Sequence, residues 1–160
     1  MLVVAGTVAV AFSVLCAAIV LRRRLVVVDV EGSSMQPTLR DRDRVLVRRC
    51  GVDRVRRGQV VVVSPPWRLA DDVRWLIKRA VAVPGDPVPR TEVAALAAAA
   101  ETRVPAGKLV VLGDNSAASF DSRTAGYFDA DTLLGVVVRP MRHRSGIERP
   151  DMPDATDSVR

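Results

Sequence analysis

Only two residues of this chain could offer a neutral amine to a reaction. Of its 24 cationic residues, all but Lys78 and Lys108 are arginines, and arginine keeps its charge at every working pH, so it cannot serve as a base. The single histidine, His143, lies in the basic stretch Arg142-His143-Arg144, which leaves almost no material for a Ser-His-Asp triad or a multi-histidine zinc site. Lys78 is the more telling of the two lysines, because Trp75-Leu76-Ile77-Lys78-Arg79-Ala80-Val81-Ala82-Val83 puts it inside an apolar run. In a half-buried strand Lys78 shares a face with Leu76 and Ala80, while Ile77 and Arg79 point the other way. The plain alternative is a lysine that snorkels to water. Held among apolar groups instead, its amine is desolvated, the neutral form is favoured and the pKa falls. Lowering it from about 10.4 to near 8 costs on the order of 3 kcal/mol, and a neutral amine can take the proton of a serine hydroxyl.

Two further segments carry reactive groups. In Val30-Glu31-Gly32-Ser33-Ser34-Met35-Gln36-Pro37-Thr38-Leu39 a strand ends, glycine permits a sharp turn and proline stops the ladder. A serine on such a corner projects its hydroxyl at the open end of a sheet, although Gly-Ser-Ser is also ordinary turn vocabulary. The other segment is the strand Lys108–Leu112 followed by Gly113-Asp114-Asn115, then Ser119, Asp121, Ser122 and Arg123. By local physics alone this is a well-tied loop, with Asp121 and Arg123 paired and the serines capping backbone amides.

The elements that must position these groups are β-strands. Leu25–Val30, Arg44–Val47, Val60–Ser64, Val73–Val83, Lys108–Leu112 and Leu133–Arg139 are β-branched runs bounded by turn residues such as Pro84-Gly85-Asp86 and Pro105-Ala106-Gly107. Their spacing predicts a mostly β chain with an antiparallel, barrel-like sheet. Glu92–Glu101, with its alanine-rich run Ala94–Ala100, is the one segment that reads as a helix or a low-complexity insert. At the N-terminus Leu2 to Leu21 carries no charge, and about 20 helical residues cross the roughly 30 Å hydrocarbon core. A transmembrane anchor over residues 1–24 is therefore expected; a cleaved secretory signal fits less well, since the cationic start and a small-x-small site are missing. Arg22, Arg23 and Arg24 follow that run, and the positive-inside rule would put the body of the chain in the cytoplasm. Residues 25–144 then form one domain, and residues 145–160, polar and aperiodic, are expected to be a disordered tail.

Composition excludes several classes. With 160 residues there is room for one domain and an appendage. The net charge of +6 owes half its excess to Arg22–Arg24, the rest is interleaved with acids as in Arg40-Asp41-Arg42-Asp43-Arg44, and aromatics are only 4%. No nucleic-acid platform is expected. Cys16 and Cys50 have no metal-type spacing and read as unpaired thiols. Cys50, His143 and Lys108 are assigned structural roles: a small loop or core residue, part of a solvated basic stretch and a strand-edge charge.

Taken in order, the three segments resemble those of the type I signal peptidases, membrane-bound serine proteases with a Ser/Lys dyad. Ser34-Met35 with Pro37-Thr38-Leu39 is similar to that family's nucleophile box, Lys78-Arg79 with Val83-Pro84-Gly85-Asp86 to its lysine box, and Gly113-Asp114-Asn115 with Ser119-x-Asp121-Ser122-Arg123 to its last box. The resemblance spans about Val28 to Val138 and implies a minimal, Gram-positive-like member without a large accessory β-domain. It implies Ser34 as nucleophile, Lys78 as general base and Ser119 as the residue that orients Lys78. Gly32 and Ser33 would lie near the oxyanion hole, and Asp121 and Arg123 would be structural. It also implies no metal and no cofactor. The partners would be membrane lipid and precursor proteins with small residues upstream of the cleavage site, bound by strand addition, and not nucleic acid. The catalytic domain of a single-pass protein of the cell membrane would then lie outside the cytoplasm, against the sense of Arg22–Arg24. The chain departs from the family's pattern at Arg42-Asp43 and Gly58-Gln59, where Gly-Asp is common, and at Ala82, where glycine is usual. Three other readings stay open: a maturation protease dedicated to one precursor, an inactive membrane-tethered peptide-binding module, and, less close, a self-cleaving repressor of the LexA type. The last would need a DNA-binding module, and no helix-turn-helix segment is present.

Overall fold

The computed structural model describes Phe12 and residues 24–65 and 75–141. The expected anchor, apart from Phe12 and Arg24, and the expected tail lie outside these residues, as do Val73 and Arg74 of the expected fourth strand. Among the described residues no helix is long and apolar enough to cross a membrane.

Seven strands form one antiparallel sheet: β1 (Leu25–Asp29), β2 (Arg44–Arg49), β3 (Val60–Val63), β4 (Leu76–Ala82), β5 (Lys108–Leu112), β6 (Phe128–Asp129) and β7 (Leu133–Met141). Their order is β1-β2-β7-β3-β4-β5-β6, so β7 returns between β2 and β3. The antiparallel expectation holds, whereas the sheet does not close into a barrel: among the described residues β1 pairs only with β2 and β6 only with β5. β6, two residues long, had no periodicity to announce it.

Both faces of the central strands are covered, which explains why their sequences read as continuous valine. On β3, Val62 belongs to a core with Val28, Val45, Val47 and Ile77, while its neighbours Val61 and Val63 belong to a second core with Ala80, Val111, Phe128 and Val136. Such alternation is the period-two geometry of a strand. A third cluster, Ala82, Val88, Val93, Leu96, Val104 and Val110, packs under the segment after β4. Ala82, a residue at which the chain departs from the pattern it resembles, is buried there.

The helix expected over Glu92–Glu101 is absent; only a 3-10 turn forms, Ala94–Leu96. A helix of about ten residues is marginal in water whatever its alanine content. Here Val93 and Leu96 anchor the segment in the third cluster, and Arg90 donates to the carbonyls of Ala99 and Glu101, which fixes it in a looped path.

Three turns share one construction. In Arg40–Asp43, Arg56–Gln59 and Val83–Asp86 the fourth N–H donates to the first carbonyl (3.1, 3.2 and 2.9 Å). The fourth side chain in turn accepts from the first N–H (2.9, 2.9 and 3.0 Å). Gln59 thus does what aspartate does at the other two. The third residue has positive φ in each, Arg42 at 67°, Gly58 at 87° and Gly85 at 88°, as a type II turn requires. Arginine is poorly suited to that conformation, which costs a non-glycine residue about 1–2 kcal/mol. Its nearest carboxylate, Asp41, lies 3.8 Å away in an exposed pair, which returns little. Arg42→Gly is therefore expected to stabilise the fold by about 1 kcal/mol, raising Tm by roughly 2–4 °C; thermal unfolding of the full chain in detergent checks this.

Candidate active site

β1 delivers the chain to the nucleophile corner. Gly32, at φ 81°, turns it out of the strand, and Ser33–Thr38 form the turn that follows. Met35 and Leu39 are buried in the first core and pin that turn from beneath. Lys78 comes from the middle of β4, opposite Val61 of β3, on the side of Leu76 and Ala80 as its position predicts. The two meet: the Lys78 amine donates to Ser34 Oγ at 2.8 Å.

Lys78 is only 2% exposed. Burial pushes its amine below the ordinary lysine value; Asp121 acts against this and Arg123 adds to it. Desolvation dominates because no carboxylate among the described residues forms an ion pair with the amine, so the neutral form gains what the cation loses.

The loop after β5 holds this pair in place. Asp121 is fully buried and accepts from Gly113 N (2.8 Å), Ser119 Oγ (2.6 Å) and Arg123 N (3.0 Å), while Arg123 lies 3.2 Å from it and donates to Gly113 O. Ser122 Oγ accepts from Val111 N and starts the single turn of helix α1 (Ser122–Ala125). The expected Asp121–Arg123 pairing is present, but of the serines expected to cap backbone amides Ser122 does so, while Asp121 itself caps helix α1. Ser119, however, spends its hydroxyl proton on Asp121, and among the described residues the lysine amine donates to Ser34. Asn115 grips the nucleophile corner from this same loop: its N–H donates to Ser34 O (2.9 Å) and its Nδ2 to Ser33 O (3.2 Å). Gly113 permits the approach, since a Cβ there would fall within 2.7 Å of Ser34 O and overlap the Ser119 side chain.

On the opposite face of β4, Arg79 braces the three segments together. It makes a two-pronged bond to Asp114, Nε to Oδ1 at 2.8 Å and Nη2 to Oδ2 at 2.6 Å, and donates to Gly58 O at 2.8 Å. Thr38 Oγ1 donates to Asp114 at 2.5 Å. The paired guanidinium keeps the Asp114 carboxyl below the usual carboxylate range, and Arg79 is raised in return. Thr38, Arg79 and Asp114 stand within the three sequence motifs, but the motifs assign them no such brace. The available signal was the period of β4, which sends Arg79 to the face away from Lys78. Of the other expected site residues, Gly32 turns its N–H to Asp41 Oδ1 (2.7 Å) and Ser33 lends its carbonyl to Asn115. Lys108 pairs with Asp129 at the strand edge, as expected; Cys50 is half-buried against the second core; His143 lies outside the described residues.

A groove of about 640 Å3 runs along β1 to the pair, with Val30, Trp75 and Ile77 on its walls and Ser34 and Lys78 in its lining. Val30 exchanges hydrogen bonds with the turn across from it, donating to Asp43 O and accepting from Arg42 N. By antiparallel alternation the backbone groups of Val27, Asp29 and Glu31 face away from β2.

The sheet thus sets a serine hydroxyl against a buried lysine amine, and the sequence comparisons identify the class of protein as a serine endopeptidase. Residues 3–97 and 89–141 match the family described as signal peptidase, peptidase S26. The chain is 29% identical to signal peptidase I U of Bacillus subtilis, across 81% of this chain and 83% of that protein. The chain belongs to the signal peptidase family S26, a family of serine endopeptidases.

Because burial depresses the pKa of Lys78, the unfolded chain binds more protons than the folded one between the depressed value and 10.5. Stability therefore rises with pH through that window, and the full cost of the buried charge is present below it. Lys78→Met is expected to raise stability at neutral pH by about 1–3 kcal/mol, with the advantage shrinking as the pH approaches 10.5. Thermal unfolding of both proteins across that range measures it.

Proposed function

We propose that the protein is a membrane-bound serine endopeptidase that removes N-terminal signal peptides from exported precursors, with Ser34 as nucleophile and Lys78 as general base. The observation that carries this reading is the 2.8 Å contact between the buried lysine amine and Ser34 Oγ. A precursor segment enters the groove extended and pairs with the outward backbone groups of Val27, Asp29 and Glu31, adding a strand at the free edge of β1. Small side chains upstream of the scissile bond fit this mode. Neutral Lys78 takes the hydroxyl proton as Ser34 Oγ attacks the carbonyl carbon. The Ser34 N–H donates to the oxyanion. The lysine ammonium then protonates the departing amine, leaving an acyl-enzyme. Water, deprotonated by the same amine, attacks the ester and releases the signal peptide as a carboxylate. In this reading Asp121 and Arg123 hold the loop in shape, and Ser119 orients Lys78 through Asp121, whose charge the amine feels. The apolar run Leu2–Leu21 supplies the anchor, with the catalytic domain outside the cytoplasm.

The test uses the full chain in detergent with an exported precursor carrying an Ala-x-Ala site. Wild-type protein is expected to cut after the second alanine, and Ser34→Ala and Lys78→Ala to lose roughly 10³-fold or more in kcat. Lys78→Arg is expected to be equally inactive, because its guanidinium stays charged. The rate should climb with pH through the depressed pKa of Lys78, below 10.5. A folded wild type that leaves the precursor intact would contradict the assignment.

A further inference from the structure

Arg42 is the one non-glycine with positive φ among the described residues, and backbone strain that persists usually secures something nearby. The turn that contains it lies flush with the end of β1: Arg42 N donates to Val30 O and Val30 N to Asp43 O, both at 2.8 Å. That placement brings the carboxylate of Asp41, the second residue of the turn, onto the backbone N–H of Gly32 at 2.7 Å.

The nucleophile corner is consequently held from two sides by different segments. Asn115 fixes the carbonyls of Ser33 and Ser34, whereas the Gly32 side is held by Asp41. Gly32 is where the restraint matters. A Cβ there would meet nothing within 4 Å, so packing does not immobilise it, and glycine explores both signs of φ at little cost. A swing at Gly32 moves Ser33 and Ser34 together, and with them the hydroxyl facing Lys78 and the amide that would meet an oxyanion.

We propose that Asp41 is a positioning residue for the peptidase reaction, acting through the Gly32 N–H to fix the direction in which Ser34 presents its hydroxyl and its amide. This rests on the function proposed above. Asp41 touches neither Ser34 nor Lys78 in any hydrogen bond of the described residues, so its effect is on geometry, which enters the rate through near-attack alignment.

The test compares Asp41→Ala and Asp41→Asn in the full chain, with Asp53→Ala as a control that removes a similarly exposed carboxylate elsewhere. Two quantities are read: kcat and KM on the precursor, and the hydrogen exchange of the Gly32 amide by NMR. Asp41→Ala is expected to lower kcat about tenfold with KM within twofold and to speed Gly32 exchange at least tenfold. Asp41→Asn, which keeps an acceptor oxygen, should restore both, and Asp53→Ala should change neither. A rise in KM alone, or unchanged kcat in Asp41→Ala beside an active wild type, would overturn the proposal. So would Gly32 exchange that ignores Asp41. If the wild type cuts no precursor, the failure belongs to the peptidase reading, and the exchange of Gly32 alone decides whether the clamp exists.

Discussion

Everything at this site depends on keeping an amine out of water. A lysine in solution is charged at neutral pH and useless as a base, and an isolated serine hydroxyl is a poor nucleophile. Placing Lys78 in the middle of β4, between the valines of β3 and the aliphatic residues of β5 and with Leu76 and Ala80 on its own side, removes the solvent that would hold its proton. The sheet carries that cost through its three cores. In the proposed reaction, the same burial that destabilises the folded chain lets one amine accept a proton from Ser34, donate it to a leaving amine and accept another from water.

The rest of the architecture reads as a frame around this contact. Ser34 and Lys78 are 44 residues apart in sequence, on elements that do not pair with each other, so their separation must be set by third parties. The loop after β5 is the main one. Asp121 folds it by taking three hydrogen bonds in a dry interior, and Asn115 then reaches from it to the nucleophile corner. Arg79, on the reverse of the same strand as Lys78, ties Asp114 and Gly58 to that strand. Charged residues therefore appear where they bridge segments, and aliphatic ones where they exclude water.

Much of this was legible in the sequence because the chemistry is local. A serine between a strand end and a proline, a lone lysine in an apolar strand, and a strand running into Gly-Asp-Asn each have few physical readings, and the β-branched runs gave six of the seven strands within a few residues. What failed was decided by distant partners. The alanine run carries strong helix propensity, yet Arg90 and the third core determine its path. That β1 has no second partner among the described residues follows from strand order and not from composition. Ser119 shows no local preference between an amine and a carboxylate; the burial of Asp121 settles where its proton goes. Asp41 was visible only as one charge in an alternating run, since its role depends on a turn conformation that arginine at the third position disguises.

The most direct test of the account is the titration of Lys78 itself, by the carbon-13 shift of its Cε in the full chain, with Lys78→Met used to assign the signal. A midpoint below 10.5 is the predicted result, and Ser34→Ala should leave it depressed because burial, and not the serine, is the cause. A midpoint at or above the ordinary lysine value would contradict the claim that burial in this fold lowers the pKa of the Lys78 amine.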